Sequence, residues 1–238
     1  MAMDHALSAC LGPGQGVLRL YRWAHPTASF GRNEPVRGRY DVEAARRRGI
    51  EFVRRPTGGR AVLHDRELTY ALVLPVTRGM SLRALCGLVN EGLVRALDTL
   101  DVSASMAPAE GRALRPSAGP CFRRPSEGEV TVGGRKLVGS AQARLGRSIL
   151  QHGSLLLGPG QERLTWLRGE TEEASVPTCL EEILDSVPSW NVLVEAVLAG
   201  LRGVMGGEWS QAELTEAEGE ESRKLECHYA SDGWTWRV

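Results

Sequence analysis

The twelve residues Arg54 to Asp65 read RRPTGGRAVLHD and lie between two apolar runs. Adjacent glycines let a ligand approach the main chain and leave amides free to donate hydrogen bonds. The flanking Arg54, Arg55 and Arg60 favour a carboxylate, a carbonyl or a phosphate. Thr57, Gly58, Gly59, Ala61 and His64 lie within the same segment. A glycine turn with solvated arginines would use the same residue types.

Three further segments carry reactive groups. In GGRKLVGSAQAR, Lys136 follows a turn and leads into Gly139, Ser140 and Ala141. Small residues after the lysine allow a ligand to lie flat against a strand; a solvated surface charge is the plain alternative. In ILQHGSLLL, His152 and Gly153 interrupt an apolar run, which points to a bulge or a close ligand approach. A buried histidine satisfied by the backbone fits as well. In GPCFRRPSEGE, Cys121 is followed by Phe122, Arg123 and Arg124. Two cationic neighbours favour the thiolate, the nucleophilic form of the group. A small packing cysteine is the other reading.

The whole chain limits what these groups can serve. It has 238 residues, 42% hydrophobic and 24% charged, with a formal net charge of zero. Nothing global attracts nucleic acid or a membrane surface, so any anion site is local. No apolar run approaches the roughly 20 residues that span a bilayer. The opening MAMDHALSACLGPG lacks a long apolar stretch and does not read as a signal peptide. Five dispersed cysteines without CxxC spacing read as reduced, cytoplasmic thiols rather than a disulfide frame or a metal site.

The elements that must position these groups follow from periodicity. Residues 1–10 read as a helix end, GVLRLYRW and TASFGRN as strands, DVEAARRRG as a helix, and IEFVRRP and ELTYALVLPV as strands. SLRALCGLVNEGLVRALDTLDV is the clearest helix, capped by Ser81. Residues 107–120 read as an exposed loop. EVTV, RKLVGSAQAR and SILQHGSLLL read as three strands joined by two tight turns, the first at Gly133–Gly134. From about residue 160 the chain reads as mostly helical, through VPTCLEEIL and SWNVLVEAVLAGLRGVM, with WTWRV as a closing strand. The expected fold is α+β, a mixed and largely antiparallel sheet flanked by helices. We expect one domain over residues 1–238, with the motifs in 1–158 and a helical remainder in 160–238.

Taken in order, RRPTGGRAVLHDRELTY, GRKLVGSAQAR and LQHGSLLL resemble the lipoate–protein ligase and octanoyltransferase superfamily. The resemblance runs from MAMDHAL through ASFGRN and covers about residues 1–158. It implies a fold like that of the biotin and lipoyl protein ligases, and an activity that moves octanoyl or lipoyl groups onto a lysine of a small carrier domain. TGGRAVLHDRELTY and CFRRPSEGE look most like the cysteine-dependent octanoyltransferases that act on the glycine cleavage H protein. Glu127 and Gly128 stand where that branch commonly has aromatics.

The resemblance implies Cys121 as nucleophile and Lys136 as the group that stabilises the charged tetrahedral stage. It implies a substrate site drawn from Arg54, Arg55, Thr57, Gly58, Gly59, Arg60, Ala61, His64, Gly139, Ser140, Ala141, His152 and Gly153, a slot with the paired glycines as its wall and the arginines framing its mouth. The donor would be an acyl carrier protein or an octanoyl-carrying H protein, and the acceptor a lipoyl domain or the H protein. No cofactor or metal is called for. Two other readings stay open: an ATP- and magnesium-dependent lipoate ligase in which Cys121 is incidental, and a carrier-binding module without chemistry.

Overall fold

Two long strands carry the middle of the molecule, and the other elements are arranged to cover them. The structure, a computed structural model, describes residues 1–77, 79, 81–108, 122, 126–169 and 176–238. The larger sheet is antiparallel, in the order β1 (Val17–Tyr21), β5 (Glu67–Pro75), β10 (Ser148–Leu156), β9 (Val138–Leu145). β10 is buried throughout and β5 over Glu67–Val73, so both faces need cover. On one face Leu68, Tyr70 and Leu72 pack with buried side chains of α3 (Leu82–Asp98) and α6 (Trp190–Met205). On the other, Ala71, Val73 and Leu150 pack against Leu7 of α1 (Ala2–Cys10).

The local causes are legible. Ser81 accepts a hydrogen bond from Ala84 N at 3.3 Å and starts α3, which buries Leu85, Val89, Leu93 and Leu97 at helical spacing. α1 is covered by α7 (Glu216–Ala230), whose start is a reciprocal capping box between Thr215 and Glu218.

A second sheet joins β3 (Glu51–Arg54), β2 (Thr27–Phe30) and β4 (Val62–His64). β2 pairs parallel with β3 and antiparallel with β4, which makes the fold mixed, as expected. A third, small sheet joins β6 (Ser105–Met106), β7 (Val130–Val132) and β8 (Arg135–Lys136). The turn between β7 and β8 has φ of 56° at Gly133 and 75° at Gly134, the left-handed pair that a primed hairpin requires.

Two expectations are corrected. RKLVGSAQAR is not one strand. Leu137 breaks it: its N–H bonds Val130 O at 3.0 Å, Lys136 stays with the small sheet, and Val138 onward joins the larger one. The chain changes sheets there because Leu137 is fully buried in the core between them. WTWRV is not a strand either. Ser231 caps the short helix α8 (Asp232–Thr235) by accepting from Trp234 N, and Trp234 is anchored through its indole N–H to Arg54 O at 2.7 Å. Side-chain anchors and a main-chain bond from Val36 N to Val238 O at 3.0 Å, rather than a ladder, hold the tail. The loop expected at 107–120 lies outside the described residues from 109 onward. Among the described residues no helix is long and apolar enough to cross a membrane.

Candidate active site

The glycine pair forms a turn clamped from within. An added Cβ at Gly31 would lie 1.9 Å from Gly59 O, and Arg32 N bonds Thr57 O at 2.8 Å. Such tight packing frees carbonyls that need donors, and a guanidinium supplies five. Arg55 donates to Ser29 O at 2.8 Å, Gly58 O at 2.9 Å and Arg60 O at 2.7 Å. Arg54 donates to Gly31 O at 2.6 Å, Glu34 O at 2.9 Å and Thr235 O at 2.9 Å. Arg54 therefore frames no mouth, and Arg55 is committed to the loop's own carbonyls. Arg54 is 0% exposed, Arg55 3% and Arg60 6%, and at least two of them are consumed in bracing the loop. Gly58 and Gly59 themselves face solvent.

A groove of about 380 Å³, counting its open side, runs between the larger sheet and the β3–β2–β4 sheet. Arg55, His64, Gly139, Ser140, Ala141, His152 and Gly153 all line it, so residues 98 positions apart in the chain are brought together there. Thr57 reaches it through a 2.6 Å hydrogen bond between its Oγ1 and His152 Nε2. Arg54 is turned away toward the C-terminal tail, and Ala61 packs in the core with Phe30 and Leu63.

The histidines are structural in their contacts. Burial, first, and then the charge of Arg55 hold His152 well below the usual imidazole range, so it is neutral. Gly153 forms no bulge: pairing runs unbroken on both sides of it. What approaches is Tyr70, whose ring carbon would lie 2.6 Å from an added Cβ. His64 bonds Ser29 Oγ through Nε2 at 2.7 Å and Glu67 Oε1 through Nδ1 at 2.8 Å. Thr69 and Ser154 also donate to Glu67 Oε1, and Trp23 stacks on His64 with centroids 4.2 Å apart. The indole N–H of Trp23 bonds Thr69 Oγ1 at 2.9 Å. Trp23, Ser29, Glu67 and Thr69 were not among the expected site residues. A glutamate at the head of an apolar strand was the one visible signal.

Lys136 is not among the residues that line the groove; it lies buried beside Gly139, which does line it. Its Nζ lies 2.7 Å from Glu129 Oε1 and 4.9 Å from the centre of the Phe122 ring. An added Cβ on Gly139 would lie 2.8 Å from that ring and 3.4 Å from Lys136 Cε, so any larger residue displaces those two side chains. Beside it Ser140 Oγ and Tyr70 OH are 2.7 Å apart, and Asn90 Nδ2 donates to Gly128 O at 2.7 Å. A buried ammonium beside a groove can meet charge that develops on a carbonyl oxygen. Cys121, with Arg123 and Arg124, lies outside the described residues; Phe122 follows Cys121 in the chain. Of the described cysteines, burial raises the thiols of Cys86 and Cys179, away from the thiolate. Among the described residues no group of three or more His, Cys, Asp and Glu side chains could hold a metal ion.

The comparisons bear on what this groove serves. The family described as the lipoyl protein ligase A/B catalytic domain matches residues 1–202. Octanoyltransferase LipM of Kyrpidia tusciae is 40% identical over 258 aligned residues, covering 100% of this chain and 93% of that protein. Octanoyltransferase LipM of Staphylococcus aureus is 33% identical, with the same 100% and 93% coverage. A protein of T. acidophilum assigned as a lipoate protein ligase, solved with bound lipoic acid, superposes with a TM-score of 0.84. At 22% identity, covering 100% of this chain and 92% of that one, it speaks for the fold.

Proposed function

The chain belongs to the lipoyl protein ligase A/B catalytic domain family, and we propose that its reaction is octanoyl transfer through a thioester on Cys121. It is an octanoyltransferase of lipoate biosynthesis, and relatives at 33% and 40% identity over the whole chain carry the name octanoyltransferase. The observation that supports the thioester route is the placement of Lys136, buried beside Gly139 and over the ring of Phe122.

The reaction runs in two balanced steps. The Cys121 thiolate attacks the carbonyl carbon of an octanoyl thioester. The carbonyl oxygen takes the negative charge and the Lys136 ammonium faces it. The bond to the donor sulfur then breaks, and the donor leaves as a thiol after taking a proton from solvent. In the second step the neutral lysine amine of the acceptor attacks the acyl-enzyme carbonyl, the bond to the Cys121 sulfur breaks, an amide forms, and the amine's proton passes to solvent as Cys121 leaves as the thiolate. The donor is an acyl carrier protein or an octanoyl-carrying H protein; the acceptor is a lipoyl domain or the H protein. The octanoyl tail lies along the groove, where each buried CH₂ contributes about 0.8 kcal/mol, several kcal/mol for the chain. Neither ATP nor a metal enters, and the thiolate requires a reducing compartment, the cytoplasm.

The test is transfer from an octanoyl-carrier thioester to an unmodified lipoyl domain with nucleotide removed. The expected result is transfer without ATP that falls by about a thousandfold or more in Cys121→Ser. Strict ATP dependence, or near-normal transfer by the variant, would point to the ligase chemistry instead. Binding of both carriers with no transfer in any condition would point to a module without chemistry.

A further inference from the structure

The carboxylate that holds Lys136 comes from the same segment as Cys121. Glu129 closes the run CFRRPSEGE, and both its oxygens are committed. Oε1 accepts from Lys136 Nζ at 2.7 Å, and Oε2 accepts from Ser126 N at 2.7 Å. The backbone around it is pinned as well. Ala107 N donates to Glu129 O at 2.8 Å, and Asn90 of α3 holds Gly128 O at 2.7 Å. The Lys136 side chain is 1% exposed and that of Glu129 14%. A charge this far from water keeps its proton only where opposite charge and hydrogen bonds favour the ionised form. The Phe122 ring adds a favourable face to the ammonium.

We propose that Glu129 is the positioning residue that keeps Lys136 charged and aimed at the Gly139 end of the groove. Glu129 does not touch the substrate; it acts through Lys136. The inference rests on the octanoyl-transfer reading, in which the ammonium meets the oxyanion. Its consequence is a pH dependence, and the other titratable groups that face the pair, Cys86 of α3 and Tyr70 of β5, are both pushed up by burial and stay protonated beside it. The thiolate sets the acid limb of the rate of acyl-enzyme formation, and loss of the Lys136 proton sets the alkaline limb.

The experiment measures the rate of acyl-enzyme formation from an octanoyl-carrier thioester across pH, for the whole chain and for Glu129→Gln. The amide keeps the size of the carboxylate but removes its charge. An opposite charge at this range shifts a neighbour by about 1–3 pH units, so the alkaline limb should move down by that amount. On the acid side of the optimum the rate should fall as well, because the ammonium is no longer aimed, while the position of that limb should not move. Glu129→Asp should recover part of the shift, which a merely structural role would not do. An unmoved alkaline limb in folded Glu129→Gln overturns the inference, whatever the height of the curve. Should that variant not fold, Glu129→Asp alone must still move the limb down, by less. Lys136→Met separates the two levels. If it forms acyl-enzyme at the parental rate, the oxyanion role itself fails. If it is slow while the Glu129→Gln limb is unmoved, only the role of Glu129 fails.

Discussion

Tyr70 OH reaches Ser140 Oγ at 2.7 Å across Gly153, the residue paired with both of them on the strand between. The glycine in the apolar run is there for a neighbouring ring. An added Cβ would lie 2.6 Å from Gly139 O and 2.8 Å from the Tyr70 hydroxyl. The polar chain continues to Gln151, whose Nε2 donates to Tyr70 OH at 3.3 Å, so the bridge ties three strands of the groove wall together.

Gly153→Ala therefore forces either the tyrosine or the strand pairing to shift. Overpacking of this kind costs about 1–3 kcal/mol. Equilibrium urea unfolding should show that loss, with an unchanged m-value; stability equal to the parent would mean that the wall has slack the structure does not show.

Gly139→Ala should behave differently. Its Cβ meets the Phe122 ring and the stem of Lys136 rather than backbone. Both side chains can move aside, so stability should fall by less than about 1 kcal/mol. Misplacement of the ammonium should lower octanoyl transfer by about tenfold or more. Parallel unfolding and rate measurements check the split.

Arg54→Lys tests the interior role of that guanidinium. A lysine keeps the charge but cannot serve Gly31 O, Glu34 O and Thr235 O at once. Carbonyls left without donors should cost about 2–4 kcal/mol. Because Trp234 also bonds Arg54 O, limited proteolysis should cut the tail after Ala230 faster in the variant. An arginine at a solvent-facing mouth would produce neither effect.

His152 gives stability a pH dependence. Its folded pKa is depressed by burial, so below the ordinary imidazole value of about 6.5 the unfolded chain binds a proton that the folded chain does not. Stability should be full above pH 6.5 and fall as pH drops from there toward the folded pKa, with a slope approaching one proton. Unfolding at a series of pH values, compared with His152→Gln, isolates this contribution. An unchanged slope in the variant would assign the dependence to other groups.

What could be read ahead of the structure follows from the range of the forces involved. α3 was legible because its cap and its stripe of Leu85, Val89, Leu93 and Leu97 lie within the helix itself. The Gly133–Gly134 turn was legible because positive φ selects glycine locally. The groove residues were identified as a set, and Gly139, Ser140, Ala141, His152 and His64 do meet. The interior place of Arg54 was not legible, because its acceptors belong to residues 23, 20 and 181 positions away. Likewise Leu137 looks like any strand leucine until two sheets compete for it. Glu129 stood in a recognised run, yet nothing local marks it as the partner of Lys136.

The central claim is that the octanoyl group rests on Cys121 between donor and acceptor. Intact mass spectrometry of the purified chain, taken after brief incubation with an octanoyl-carrier thioester and no acceptor, tests it most directly. The account predicts a gain of one octanoyl group, released by hydroxylamine, mapped to Cys121 and absent from Cys121→Ser. A chain that transfers octanoyl groups yet never carries that mass, or carries it on another residue, would contradict the account.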